Sequence, residues 1–390
     1  MLVVDVVLIV LLVVSAIVGL RRGLLASVGL FAGIALGAAV AYWLMPLAGS
    51  WVSDPSWRLV TVISVGIGLL LLGAAVGSAI GRSLRRGVDR IKLRVPERIL
   101  GGLASLVGAA LAISFLGGAL VSTGTPVISS ALASSTVLRT IDTVTPAPVR
   151  ATLAQLRGSV FGDGLPRLGE LLEPALVPAA PAVSLDDPAL TAAAQSVAKI
   201  TGVAYACGIT ATGTGFAVAP DRIVTNAHVV AGVEQPVVEL PGRPAQDGRI
   251  VYFDPVDDLA VIAVDGLDAT PLAISDSLPV GSAAVVQGYP HGGPFTSGNA
   301  QVVSVGTPSV PDIYDASSTP RDIYALSAIV RPGNSGGPLL TPSGEVAGVV
   351  FARSDSDDDV GYAMTPVELD PVIARLGEFD APVASGACTA

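Results

Sequence analysis

Histidine and cysteine are almost absent from this chain of 390 residues, with two of each. The histidines are His228 and His291 and the cysteines Cys207 and Cys388. There is no CxxC pair, no histidine beside a cysteine and no metal-ligand spacing, so neither a metal centre nor a cofactor is expected. Charge is scarce too, at 14% of residues, and it is unevenly spread. Residues 1–121 hold ten Lys/Arg and four Asp/Glu, whereas residues 122–390 hold twelve and twenty-eight. The second part lacks the basic face that a phosphate backbone requires, which excludes nucleic acid as a partner. Both cysteines lie in that part, and their parity permits one disulfide, Cys207 with Cys388, in an oxidising compartment. Such a bond would restrict the unfolded chain at a gain of roughly 2–4 kcal/mol.

What is present, first of all, is apolar length. Leu2 to Leu20, Leu24 to Met45, Leu59 to Ile80 and Ile99 to Val121 are each nearly continuous apolar runs, long enough as helices to span about 30 Å of hydrocarbon. The first is not read as a cleavable signal, because it opens with Asp5 and carries its positive charge, Arg21 and Arg22, afterwards. Lys and Arg concentrate between runs one and two, and again at Arg82, Arg85, Arg86, Arg90, Lys92, Arg94 and Arg98 between runs three and four. Those two loops belong inside. The loop from Pro46 to Arg58, with Trp51, Asp54 and Trp57, suits the outer interface. The N-terminus and everything after the fourth run are therefore expected outside, and the protein is expected in the cytoplasmic membrane. Gly29, Gly33 and Gly37, and likewise Gly73, Gly77 and Gly81, recur every four residues and offer close helix packing. No ionisable residue sits in mid-span, which weighs against a transporter.

Residues 122–187 turn to Ala, Pro, Ser and Thr and read as a spacer. Short amphipathic helices are expected at Ser129 to Val144 and Val149 to Val160, and an extended, exposed stretch from Glu173 to Pro188. Asp187 before Pro188 predicts a capped helix running to about Ala198. Short Val- and Ile-rich segments follow in two sets: Gly202 to Ala206, Thr214 to Ala219, Arg222 to Thr225, Val237 to Leu240, Gly248 to Phe253 and Leu259 to Val264; then Ala283 to Gly288, Ala300 to Val305, Ile323 to Ala328, Pro338 to Leu340, Glu345 to Phe351 and Gly361 to Thr365. Two such groups predict two antiparallel barrels over residues 188–390.

Within them, Gly333-Asn334-Ser335-Gly336-Gly337-Pro338 places a serine on a glycine-flanked turn, where local N–H groups converge as an oxyanion hole requires. A serine hydroxyl needs a base to take its proton. His228, after the apolar strand Ile223 to Thr225, is held more rigidly than His291, which reads as a solvated loop residue between Pro290 and Gly292. A carboxylate should hold the other imidazole nitrogen. Asp254, Asp257 and Asp258 are available; Asp258 abuts an apolar strand, while the other two read as turn residues.

TNAHVV, DDLAVI and GNSGGP, in that order, resemble the chymotrypsin-like serine proteases, nearest in wording to the HtrA-type branch. The first 121 residues resemble the colicin V production family of four-span proteins. With 25 residues after Thr365, no PDZ domain is expected, and the combination of spans, spacer, protease and bracketing cysteines resembles the actinobacterial membrane-anchored acid-resistance proteases of MarP type. The resemblance implies a catalytic triad of His228, Asp258 and Ser335 between two barrels, an oxyanion hole at Gly333 and Ser335 with Asn334 between them, and proteolysis of envelope proteins under acid or oxidative stress. It also puts Ile329, six residues before the nucleophile, at the base of the substrate pocket, with Val349, Val350 and Phe351 as a wall. An apolar base argues against a preference for Arg or Lys. The run Asp355 to Asp359 reads as a solvated loop. Two other functions fit the sequence: a protease fold that only binds proteins, and a protease that serves as regulator of the four-span half.

Overall fold

The computed structural model describes residues 2–50, 55–88, 94–121, 132, 135–161, 165–169, 171–172, 180–204 and 209–389. Trp51, Asp54, Arg90, Lys92, Cys207 and the proline-rich residues 173–179 lie outside the described residues. The chain forms two compact units, residues 2–114 and 115–390. The described parts of the segment 122–187 belong to the second unit.

The first unit is built from α1 (Leu2–Arg22), α2 (Leu24–Ser50), α3 (Pro55–Val88) and α4 (Arg94–Val121). Each contains a stretch long and apolar enough to cross a membrane: Val3–Arg22, Leu24–Ala41, Ser64–Leu84 and Val95–Gly117. The two glycine rows face each other. A Cβ at Gly33 would lie 2.1 Å from the Gly73 carbonyl, and one at Gly29 would lie 2.3 Å from that of Gly77. The backbones of α2 and α3 thus touch in antiparallel register, which only residues without a side chain allow. Hydroxyls join further helices, with Ser105 Oγ donating to Ser27 Oγ at 2.9 Å and Ser15 Oγ to the Ser105 carbonyl at 3.0 Å.

In the second unit, α5 (Thr136–Val144) begins later than the apolar pattern predicts, because the Ser135 side chain accepts the Leu138 N–H and caps it there. α6 (Ala147–Phe161) follows after Pro146. Asp187 caps α7 (Pro188–Ala194), accepting the Ala189 N–H at 2.8 Å. This helix stops short of Ala198, because Val197 onward is drawn into a buried strand whose sheet contacts outweigh local helix preference.

Among the described residues the chain forms sixteen strands. β1 (Arg167–Leu168) lies in the spacer. The first sheet joins β2 (Val197–Ala204), β3 (Ile209–Ala219), β4 (Arg222–Thr225), β5 (Val237–Glu239), β6 (Gln246–Asp247), β7 (Arg249–Asp254) and β8 (Leu259–Ala263) in the order β6-β5-β2-β3-β4-β8-β7. Among the described residues its two edges do not pair, so this sheet is a half-barrel rather than the closed barrel expected. The second set is β9 (Ala283–Gly288), β10 (Thr296–Gly306), β13 (Ile323–Ser327), β14 (Pro338–Leu340), β15 (Val346–Ser354) and β16 (Val360–Met364), with β11 (Ser309–Pro311) and β12 (Ser318–Pro320) as a separate hairpin. This set closes, because β15 pairs with β14 on one edge and β16 on the other, turning the corner through a bulge between Val350 and Ala352. A short helix, α8 (Ala227–Val230), follows β4, and α9 (Pro366–Ala374), capped by Thr365, follows the barrel.

Alternation along the strands creates the cores. Phe216, Val224 and Val261 of the first sheet meet Ile323, Val349, Phe351 and Leu369 between the sheets. Ile200, Ile223 and Ile262 fill the half-barrel. Tyr324, Leu326, Val302 and Val350 fill the closed barrel. Each fully buried aliphatic side chain contributes about 1.5–3 kcal/mol.

Candidate active site

His228 sits where β4 ends. Thr225 and Asn226 are fully buried, and the chain turns there into α8, which fixes the imidazole in the wall between the sheets. Asp258 closes the turn from β7 to β8 with a φ of +55°, a left-handed conformation that aspartate tolerates better than most residues. Asn226 Nδ2 donates to its carbonyl at 2.8 Å. Its carboxylate accepts the His228 backbone N–H at 2.9 Å and faces His228 Nδ1 at 3.0 and 2.8 Å. Both side chains are buried. A carboxylate there requires Nδ1 to carry a proton, which leaves Nε2 as the acceptor. Asp254 shapes the same turn, its Oδ1 accepting the N–H groups of Val256 and Asp257. Desolvation and the neighbouring Asp254 carboxylate push the Asp257 carboxyl above its ordinary range, partly offset by Arg321.

Ser335 lies on a turn that needs glycine on both sides. Gly333 has φ +91° and Gly336 φ +78°. A Cβ on Gly336 would fall 2.3 Å from Thr225 Oγ1 and 2.9 Å from the Asn226 nitrogen, so the turn rests directly on the β4–α8 corner that carries His228. The Asn334 N–H donates to the Arg331 carbonyl at 2.9 Å, and its side-chain oxygen accepts the Arg331 N–H at 3.0 Å. The N–H groups of Gly333 and Ser335, by contrast, donate to no described residue. Asn334 therefore locks the turn through its own backbone and side chain and leaves its neighbours' N–H groups free. Ser335 Oγ and His228 Nε2 are both buried and unpartnered among the described residues.

Two features of this site are not legible as motifs. Thr214, fully buried on β3, donates its hydroxyl to the Gly333 carbonyl at 2.6 Å and accepts the Tyr289 N–H at 3.0 Å, while its backbone N–H donates to the Ser335 carbonyl at 2.8 Å. His291, expected to be a solvated loop residue, instead belongs to a turn packed on the serine loop, and its N–H donates to the Pro332 carbonyl. Strand periodicity also divides the expected pocket residues. Val350 faces the barrel interior with Ala328 and Val330, whereas Val349 and Phe351 face the contact between the sheets. Ile329 is 59% exposed, and its two neighbours are the ones turned inward. Asp355 to Asp359 are all exposed, with Asp358 paired to Arg353 at 3.0 Å. Cys388 is disulfide-bonded, and Cys207 lies outside the described residues.

Residues 213–349 match the family model of the trypsin-like peptidase domain, and residues 4–146 that of the colicin V production protein. The serine protease Rv3671c of Mycobacterium tuberculosis is 33% identical over 384 residues, covering 96% of both chains. The chain belongs to the same family of membrane serine proteases. A crystal structure of the active form of the Rv3671c protease superposes with a TM-score of 0.52 at 36% identity, covering 56% of this chain and 99% of that one. The Do-like serine protease HtrB of Bacillus subtilis is 30% identical over 169 residues, 41% of this chain and 37% of that protein. As a member of this family the chain is a serine protease of the trypsin-like, HtrA-related kind. It joins that domain to a colicin V production-type half of four apolar helices, and it acts on protein substrates.

Proposed function

We propose that this protease is a membrane-anchored endopeptidase that works through a triad of Ser335, His228 and Asp258. The observation that carries the proposal is the buried Asp258–His228 pair at 2.8 Å, with an unpartnered Nε2 and an unpartnered Ser335 Oγ at the contact of the two sheets. As Ser335 Oγ attacks a peptide carbonyl, His228 Nε2 takes its proton, and Asp258 stabilises the imidazolium through Nδ1–H. The oxyanion is received by the N–H groups of Gly333 and Ser335, each such donor contributing about 2.7–4 kcal/mol to the transition state. Expulsion of the amine returns the proton from Nε2, and water then releases the acyl group by the same steps. The apolar Ile329 at the expected base of the substrate pocket, between the buried Ala328 and Val330, supports apolar rather than basic specificity.

The basic loops support the N-terminus and protease on the outer side of the cytoplasmic membrane, where a Cys207–Cys388 disulfide persists and cell-envelope proteins are the substrates. Acid and oxidative stress resistance is the physiological role proposed. In the full-length protein, Ser335→Ala should lower casein cleavage by at least about 10³-fold and fail to restore acid survival in a deletion strain. Undiminished cleavage by that variant would remove Ser335 as the nucleophile.

A further inference from the structure

A protease holds an extended peptide on the strand edge that leads away from its nucleophile, because the free N–H and C=O groups there pair with substrate backbone. In this chain that edge is already taken. β15 passes the serine turn at Val350, whose N–H donates to the Gly337 carbonyl and whose carbonyl accepts the Gly336 N–H. Three residues on, about 10 Å at the rise of a strand, the Arg353 N–H donates to the Pro166 carbonyl at 3.2 Å. The Asp355 N–H then donates to the Leu168 carbonyl at 3.1 Å. These bonds seat β1 alongside β15 in parallel.

The side chains follow. Leu165, at the end of this segment nearest the serine turn, is buried in the cluster that holds Ala328, Val330 and Val350. Leu168 packs on the cluster between the sheets. The spacer also reaches the other flank of the turn: a Cβ on Gly293 would lie 2.4 Å from that of Ala154 on α6, which seats this helix on the loop that bonds Pro332.

We propose that Leu165–Leu168 is a resident occupant of the substrate edge, with Leu165 in the place of a substrate side chain. The protease then competes with its own spacer and selects extended peptides that carry a leucine-sized aliphatic residue. The proposal rests on Ser335 being the nucleophile. Chain polarity explains how the occupant survives. A substrate whose acyl half lies along β15 runs toward Ser335, antiparallel to the strand. β1 runs away from it, so the segment fills the edge without presenting a peptide bond for attack.

The test uses the full-length protein in detergent, with a fluorogenic peptide carrying leucine before the cleaved bond, and with diisopropyl fluorophosphate, which is too small to need the β15 edge. Leu165→Asp, and separately replacement of residues 165–168 by Gly-Ser-Gly-Ser, should each lower KM about tenfold with kcat within twofold, a competition worth about 1.4 kcal/mol. Labelling of Ser335 by the fluorophosphate should not change. A synthetic peptide of residues 165–172 added to the replaced variant should raise KM again. Unchanged KM in both variants, with labelling intact, would overturn the occupancy while leaving the triad standing. If the wild type neither labels nor cleaves, the assignment of Ser335 fails, and the occupancy with it.

Discussion

Thr214 gives the sharpest test of how the serine turn is held. Thr214→Val keeps the shape of the side chain but removes the hydroxyl, and so strips the Gly333 carbonyl of a 2.6 Å donor and the Tyr289 N–H of a 3.0 Å acceptor. Both backbone groups are then buried without partners, each at a cost of about 1–3 kcal/mol. Part of that loss appears as lower global stability. The rest appears as freedom of the peptide between Gly333 and Asn334, which lies between the two proposed oxyanion donors. Complete loss of one such donor costs 10²–10³ in kcat, so loosening it should lower kcat by roughly 10–100-fold. KM should stay within about threefold, because Thr214 is on β3 and its hydrogen bonds go to Gly333, Tyr289, Ser335 and Thr225 rather than to β15. Stopped assays on the full-length protein with a fluorogenic peptide separate the two constants, and thermal unfolding in the same detergent reports the stability share. Thr214→Ser, which keeps the hydroxyl and drops the methyl group, should recover most of kcat. A kcat for the valine variant within twofold of wild type would refute the reasoning. So would a serine variant as impaired as the valine one, since the methyl packing would then be the cause.

Two further outcomes can be checked. Gly33→Leu should separate α2 from α3, because its side chain would enter the Gly73 carbonyl; limited proteolysis in liposomes should show the four-helix half losing protection while the purified protein keeps its fluorophosphate labelling. Glu368, whose carboxyl is raised mainly by desolvation although the Asp322 N–H bonded to it acts the other way, costs stability when ionised. Its folded-state affinity for a proton exceeds the unfolded one, so the cost is fully present above the folded pKa and disappears as pH falls below the unfolded value of about 4.3. Glu368→Gln should therefore raise the unfolding temperature at neutral pH and lose that advantage in acid; an equal effect at both pH values would contradict this.

The strands and the three polar motifs were readable because each depends on a short local pattern. Arg222 to Thr225, Ala283 to Gly288 and Pro338 to Leu340 are observed at the bounds expected for short apolar segments. Where long-range contact decides, the pattern misleads. Residues 197–198 continue a helical reading, yet they pair with Phe216 and Gly215. The first sheet has the composition of a barrel but its edges stay apart among the described residues. Arg321 carries no local signal at all. It is 1% exposed, donates to the Val256 carbonyl in the turn that delivers Asp258, and lies over the Phe351 ring. Only the folded chain shows that a cation of the second barrel supports a carboxylate of the first sheet. In the spacer, helices are found at Thr136–Val144 and Ala147–Phe161, where short amphipathic helices are expected, whereas the packing of Leu165 and Leu168 on the protease clusters carries no local signal.

The serine turn is bonded to both sheets at once, its Ser335 carbonyl to Thr214 of β3 and its Gly336 N–H to Val350 of β15. The bond to Thr214 cannot form until the two halves have met. During synthesis, Thr214, His228 and Asp258 emerge well before Ser335, and β15 later still, so a nascent or half-unfolded molecule has not yet brought the proposed triad together. The attachment of one turn to two separately built sheets thus makes proteolytic power a property of the finished chain alone.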